Sequence, residues 1–279
     1  MTVAAILGAG PLGAAIAHKL AERAVFRAIR LIDESSQVAA GKALDIRQSG
    51  PIGGFDVDLS ATADPLAATG ATVIILADPI SGGAWEGDRG LALVDRLMRA
   101  GTTSPIVMAG PAQVGLMERA VAELKVPAER LVGSAASAVV TAVRAFIGIE
   151  LNLSGVDVDL AIVGRPPGFV VGWSSATMSG ALLTDRVPAH RLAAIAQSLP
   201  RIWPPGPEAV AAATARIAEG LARGSRRLHY GMTVLDGELG ARGVAAMLAL
   251  ELAEGRIARR IVPSLSPQEQ NAVMSSVAR

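Results

Sequence analysis

Short apolar runs alternate with amphipathic stretches along the first half of the chain. Residues 2–7, 28–32, 71–77 and 105–109 are compact apolar runs of strand length, and the run ATVIILA at 71–77 carries no charge. Between them, residues 14–23, 37–47, 88–99 and 114–124 place apolar side chains at helical spacing. Strands that are apolar throughout and regularly separated by helices predict βαβ units around a parallel sheet. The second half is less regular. Residues 135–151 and 209–222 read as helices, 156–163 as a strand with one wet face, and 228–235 and 244–252 as strands. The Pro-rich segment at 204–207 stops whatever precedes it. The pattern divides the chain into an alternating part, 1–134, and an α+β part, 135–279, with no flexible linker between them.

Composition narrows the function classes. The 279 residues are 51% hydrophobic and 18% charged, which excludes a disordered chain. The 26 basic and 25 acidic residues leave a net charge of +1, so there is no overall electrostatic footprint for nucleic acid or an anionic membrane. Without cysteine there is no disulfide, thiol nucleophile, iron–sulfur cluster or Cys-ligated zinc. The three histidines, His18, His190 and His229, are too dispersed to suggest a metal site. The longest uncharged stretch, 166–184, is broken by Pro and Gly and does not read as a membrane span. The N-terminus reads as a buried strand rather than a targeting segment, so the expected location is cytoplasmic.

Candidate chemistry begins at Gly8-Ala-Gly10-Pro11-Leu12-Gly13, a G-x-G-x-x-G string between an apolar strand and a helix. Gly8 permits the tight turn, Gly10 a close backbone approach to a pyrophosphate, and Gly13 close packing of helix on strand. The helix start offers unpaired N–H groups and a positive dipole end. Pro11 lacks an N–H but suits a first helical turn, and Leu12 completes the loop. Asp33 ends the next strand, twenty residues after Gly13, where a carboxylate accepts ribose hydroxyls and repels a 2′-phosphate. The expected cofactor is NAD; glycines kept for packing alone are the plainer alternative.

In segment order the chain resembles the lactate/malate dehydrogenase family over nearly its whole length. VAAILGAGPLGAAIAHKLAER is similar to the family's first βα unit, and LIDES to its second strand. GKALDIRQSG is similar to the helix after that strand. GATVIILAD matches the strand before the active-site loop, and EGDRGLALVDRL the loop end and next helix. ELNLSGVDVDLAIVGRPPG resembles the segment around the catalytic histidine, and ELGARGVAAMLALELAEG with SLSPQEQNAV the last strands and final helix. The resemblance implies a Rossmann domain with a doubly wound parallel sheet, a C-terminal α+β substrate and oligomerisation domain, and association into dimers or tetramers. It implies hydride transfer between NAD and a small 2-hydroxy or 2-oxo carboxylate.

The positions that carry this chemistry in the family read differently here. The resemblance puts Pro166 at the histidine, Val139 at its aspartate, Ala142 at the carboxylate-binding arginine and Gly110 at the asparagine. Arg144 lies two residues beyond Ala142, about 200° around a helix, and a register shift to reach it would put Thr141 at the acid position. The family's Ala-Gly pair beside the cofactor reads Ala77-Asp78. Arg89 alone matches a substrate-facing position, as an anion clamp on a loop; the alternative is a solvated arginine paired with Asp88 or Asp95. Trp85 on that loop either covers a ligand or anchors the loop. Asp78 and Arg165 are candidates to replace lost chemistry, against a turn-capping carboxylate and an exposed turn arginine. The Arg226-Arg227 pair reads as a solvated rim. Three functions remain open: an NAD-binding oxidoreductase with altered chemistry; a catalytically silent NAD-binding sensor, scaffold or partner subunit; or a structural relic that no longer binds cofactor, against which the intact Gly8, Gly10, Gly13 and Asp33 argue.

Overall fold

A computed structural model describes residues 2–278. The first half forms β1 (Val3–Leu7), α1 (Pro11–Arg23), β2 (Ala28–Ile32), α2 (Ser36–Gly53), β3 (Asp58–Thr62), β4 (Val73–Leu76), α3 (Gly87–Arg99), β5 (Ile106–Met108), α4 (Val114–Ala122) and β6 (Leu131–Gly133). The helix α5 (Ala135–Leu151) leads to five two-residue strands: β7 (Val158–Asp159), β8 (Ile162–Val163), β9 (Val170–Val171), β10 (Thr177–Met178) and β11 (Ala181–Leu182). Then come α6 (Ala189–Ile202), α7 (Pro207–Arg223), β12 (Leu228–Asp236), β13 (Arg242–Ala253), β14 (Arg256–Ile261) and α8 (Pro267–Val277).

Nine strands form one sheet in the order β14-β13-β12-β6-β5-β4-β1-β2-β3. Strands β1 to β6 pair in parallel, which gives the doubly wound order 3-2-1-4-5-6. The antiparallel strands β12 to β14 extend it through the pairing of Met232 with Gly133. Both faces are covered, which is why β1 and β4 are buried at every position. Ala4, Ile6, Val73 and Ile75 pack with α1, α2 and α7. Val3, Ala5, Leu7, Ile74 and Leu76 pack with α3, α4 and α5. The α/β expectation is met, with the parallel sheet followed by an α+β region.

The alternating pattern breaks down in three places. Residues 156–163 do not form one strand: β7 joins a three-stranded sheet and β8 a two-stranded one. The alternation stops at Asp159, after which Leu160, Ala161, Ile162 and Val163 are all buried. Strand β3 was not visible in the apolar pattern because Leu59 is its only buried residue. Helix α6 was not visible either, because its buried side chains are only Leu192 and Leu199; His190 lies in its first turn. Among the described residues, no helix is long and apolar enough to cross a membrane.

The strand order reverses between β1 and β4, and the carboxyl ends of these strands are where such sheets place a ligand crevice. Residues 8–13 line one side, and residues 77–86, which follow β4, line the other. Ile75 holds the sheet beneath this crevice and is fully buried. Ile75→Ala is expected to lower unfolding free energy by about 2–5 kcal/mol, read from the urea midpoint; a change under about 1 kcal/mol would mean the central strand is not packed on both faces.

Candidate functional site

Helix α1 begins at Pro11 with Gly10 as its N-cap, and glycine has no side chain to satisfy the first N–H groups. The missing acceptor comes from across the crevice. Asp78, immediately beyond β4, places its carboxylate over this helix start: Oδ1 accepts from Gly13 N–H at 2.9 Å and Oδ2 from Leu12 N–H at 3.3 Å. The Asp78 carbonyl accepts from Gly10 N–H at 2.7 Å. A negative group is favoured here by the helix dipole and by the unpaired amides together. Asp78 therefore caps a helix from outside it rather than capping its own following turn.

The glycines are required for this approach. Gly8 has φ +105°, a conformation that L side chains rarely adopt. A Cβ on Gly10 would lie against the Asp78 carboxylate and 2.8 Å from its carbonyl oxygen. The close approach that a G-x-G-x-x-G loop permits is here taken up by the chain itself.

Asp33 lies at the end of β2 but is buried, at 5% exposure. Its Oδ2 accepts from Ala9 N–H and Ile80 N–H, both at 2.9 Å, and its Oδ1 from Ser35 N–H at 3.0 Å. Three of the roughly four acceptor positions of a carboxylate are thus held by backbone. Asp33 ties the glycine loop to residue 80. Lys42 adds a further tie, donating from Nζ to the Ala9 carbonyl at 2.6 Å.

The loop that follows Asp78 folds in over the strand ends. Trp85 donates from Nε1 to the Leu7 carbonyl at 3.1 Å and packs against the core. Arg89 stacks on the Trp85 ring, 4.5 Å from its centre, and reaches Glu34 at 4.0 Å. Neither carboxylate expected to neutralise Arg89 does so: Asp88 pairs with Arg119 at 2.9 Å and Asp95 with Arg99 at 2.7 Å. Of the alternatives for Trp85, the structure favours the anchor.

The remaining candidates lie elsewhere. Pro166 and Arg165 line a separate cavity of about 470 Å³ with Pro200 of α6 and Ser275 and Ser276 of α8. Arg165 is neither an exposed turn residue nor free for a ligand: it pairs with Glu118 of α4, whose Oε1 also accepts from Ala245 N–H at 2.8 Å. Val139 is fully buried. Arg144 pairs with Asp159 at 3.5 Å and, with Thr141, lines a cavity against α7 and β12 rather than the Pro166 cavity. Gly110 N–H donates to Gln113 Oε1 at 2.9 Å, and the buried Gln113 Nε2 has no partner. Sequence reasoning missed Gln113, for no motif marks it.

A dinucleotide fits this arrangement poorly. Its pyrophosphate would need the amides of Leu12 and Gly13, which Asp78 holds. A phosphate placed at these amides would also meet the like charge of the Asp78 carboxylate.

No family model matches the chain. Malate dehydrogenase of Chlorobium phaeobacteroides is 24% identical over 295 residues, covering 98% of this chain and 94% of that protein. Malate dehydrogenase of Staphylococcus carnosus is 28% identical, covering 95% and 92%. Among solved structures, the minor L-lactate dehydrogenase of Enterococcus mundtii superposes with a TM-score of 0.89 at 21% identity, covering 99% of this chain and 95% of that one. Malate dehydrogenase of Salinibacter ruber gives 0.87 at 22% identity, covering 99% and 94%.

Removing the external cap tests its contribution. Asp78→Ala is expected to cost about 0.5–2 kcal/mol of stability, as for an N-cap deletion, measured by thermal or urea unfolding. Asp78→Asn, which keeps one acceptor oxygen, is expected to cost less. Equal stability of Asp78→Ala and the parent would contradict the capping role.

Proposed function

The chain is a distant member of the lactate/malate dehydrogenase family, similar to its relatives over nearly its whole length, and from that premise we propose that it is a catalytically silent one. It keeps the scaffold and acts by binding rather than by hydride transfer. The observation that carries this reading is the Asp78 carboxylate on the amides of Leu12 and Gly13.

The positions aligned with the family's chemistry support the same reading. Pro166 has no titratable group, so it neither donates nor accepts the reacting proton; loss of such a group costs about 10²–10⁴ in rate. Ala142 offers no guanidinium to a carboxylate, a loss of about 1.5–3 kcal/mol of charge-assisted hydrogen bonding. The two absences are consistent with each other and with Val139. A buried carboxylate at residue 139 would need a charged or hydrogen-bonding partner, and proline at 166 supplies none. Arg89 is held in its stack on Trp85, so the one matching position serves to anchor the loop.

The competing reading is an NAD-dependent oxidoreductase acting on a 2-hydroxy or 2-oxo acid by altered chemistry. What favours it is the retained loop geometry at Gly8, Gly10 and Gly13. It requires the Asp78 carboxylate to leave the amides of Leu12 and Gly13.

Titration with NADH separates the two, followed by fluorescence and calorimetry, with oxaloacetate or pyruvate then added to monitor oxidation. The parent protein is expected to show no turnover and no saturable binding at the glycine loop. Asp78→Gly is expected to bind NADH more tightly by about tenfold or more, since it frees the amides and removes the like charge. Turnover by the parent protein at about 1 s⁻¹ or above, within the usual range of enzymes, would overturn the proposal.

A further inference from the structure

A second cluster of charge lies at the opposite end of α1 from the glycine loop, about 18 Å away along a thirteen-residue helix. Five arginines surround one cavity of about 320 Å³: Arg23 from α1, Arg216 and Arg223 from α7, and Arg226 and Arg227 from the turn into β12. Glu219 and His229 complete its charged lining. Glu219 pairs with Arg23. Among the described residues no carboxylate pairs with Arg216, Arg223, Arg226 or Arg227, so four positive charges are left uncompensated in a chain whose net charge is only +1.

Ordinary helix physics accounts for part of this. Arg23 and Arg223 each lie in the last turn of a helix, where a cation complements the negative dipole end. Arg216 is mid-helix and Arg226 and Arg227 lie beyond the helix, so that explanation does not reach them. Burial chiefly, then the neighbouring Arg216 and Arg227 against the opposing pull of Glu219, pushes the His229 imidazole down to about 4. It is therefore neutral at ordinary pH, and its Nε2 lies 2.8 Å from Ser225 Oγ. Burial is the main cause, and Arg216 and Arg227 act in the same direction.

We propose that this cavity binds a small anion carrying two or more phosphate charges. Guanidinium groups match phosphate oxygens as bidentate donors, and several converging from separate segments define a site rather than a solvated rim. The volume is at the lower end of ligand pockets, which run about 300–1,000 Å³, and suits a pyrophosphate-sized group. An adjoining cavity of about 120 Å³ shares Arg216 and His229 and is lined also by Thr141 and Tyr230, which leaves room for an organic substituent on the phosphate. The cluster is local, and nothing in the overall charge extends it into the basic stripe that a nucleic acid would follow. This proposal does not depend on the silent-enzyme reading, because it shares no residue with the glycine loop.

The test is calorimetric titration of the whole protein with inorganic pyrophosphate at low ionic strength. Saturable binding is expected at one equivalent per chain, weakening as salt is added. Arg216→Gln combined with Arg227→Gln is expected to reduce affinity by about tenfold or more. Both side chains are exposed, so the folded state should persist, and circular dichroism checks that it does. The His229 imidazole, assigned in the NMR spectrum through His229→Gln, is expected to titrate at higher pH when pyrophosphate is bound. No saturable heat, an affinity unaffected by the double substitution, or a His229 titration that does not move would each overturn the proposal. So would a short single-stranded oligonucleotide that displaced pyrophosphate and bound more tightly.

Discussion

A helix that starts with Gly10 and Pro11 leaves its first amides without acceptors, and whatever satisfies them determines what the crevice can hold. In this chain the acceptor is the carboxylate of Asp78. Much of the local structure follows from that contact. With Asp78 fixed over the helix start, Ile80 reaches Asp33, and Asp33 in turn reaches Ala9 and closes the glycine loop on itself. The segment then continues to Trp85, which hydrogen-bonds to the end of β1 and supports Arg89. One carboxylate beyond β4 thus caps the helix that the glycine string begins.

On the reading proposed above, packing replaces chemistry in the rest of the site as well. Val139 is buried where the resemblance would place a carboxylate, and Pro166 lies where it would place an imidazole. A lone buried carboxylate is costly, so the two positions are consistent only if both lose their polar groups together. Arg165, the nearest charged group to Pro166, is held by Glu118 and through it joins α4 to β13. The scaffold needs no polar group at either position. Its stability comes from the two apolar faces of the sheet, and these are intact.

The charge left over is concentrated away from the crevice. A near-neutral chain can still hold a strongly positive cavity when helix ends and a turn meet, as Arg216, Arg226 and Arg227 do beside His229. Two places in this chain gather anion-attracting groups: the helix start, where Asp78 holds the amides, and the arginine cavity, where Glu219 pairs with Arg23 and the other four arginines pair with no carboxylate among the described residues.

The sequence alone determined the parts that depend on local spacing. Strands β1, β4 and β5 were legible as uncharged runs because both faces of the sheet are covered, and α1, α3 and α7 because their apolar positions recur at helical spacing. The glycine string marked a tight strand-to-helix turn for the same local reason. Strand β3 and the split of 156–163 were not legible, since a single buried leucine and a broken alternation carry no periodic signal. Only the tertiary structure decided what the glycine turn meets. Asp78 and Gly13 are 65 residues apart, and Arg23 and Arg227 come from opposite ends of the chain. No local pattern records which way such side chains turn, because the partner that satisfies each one is brought beside it only when the sheet closes.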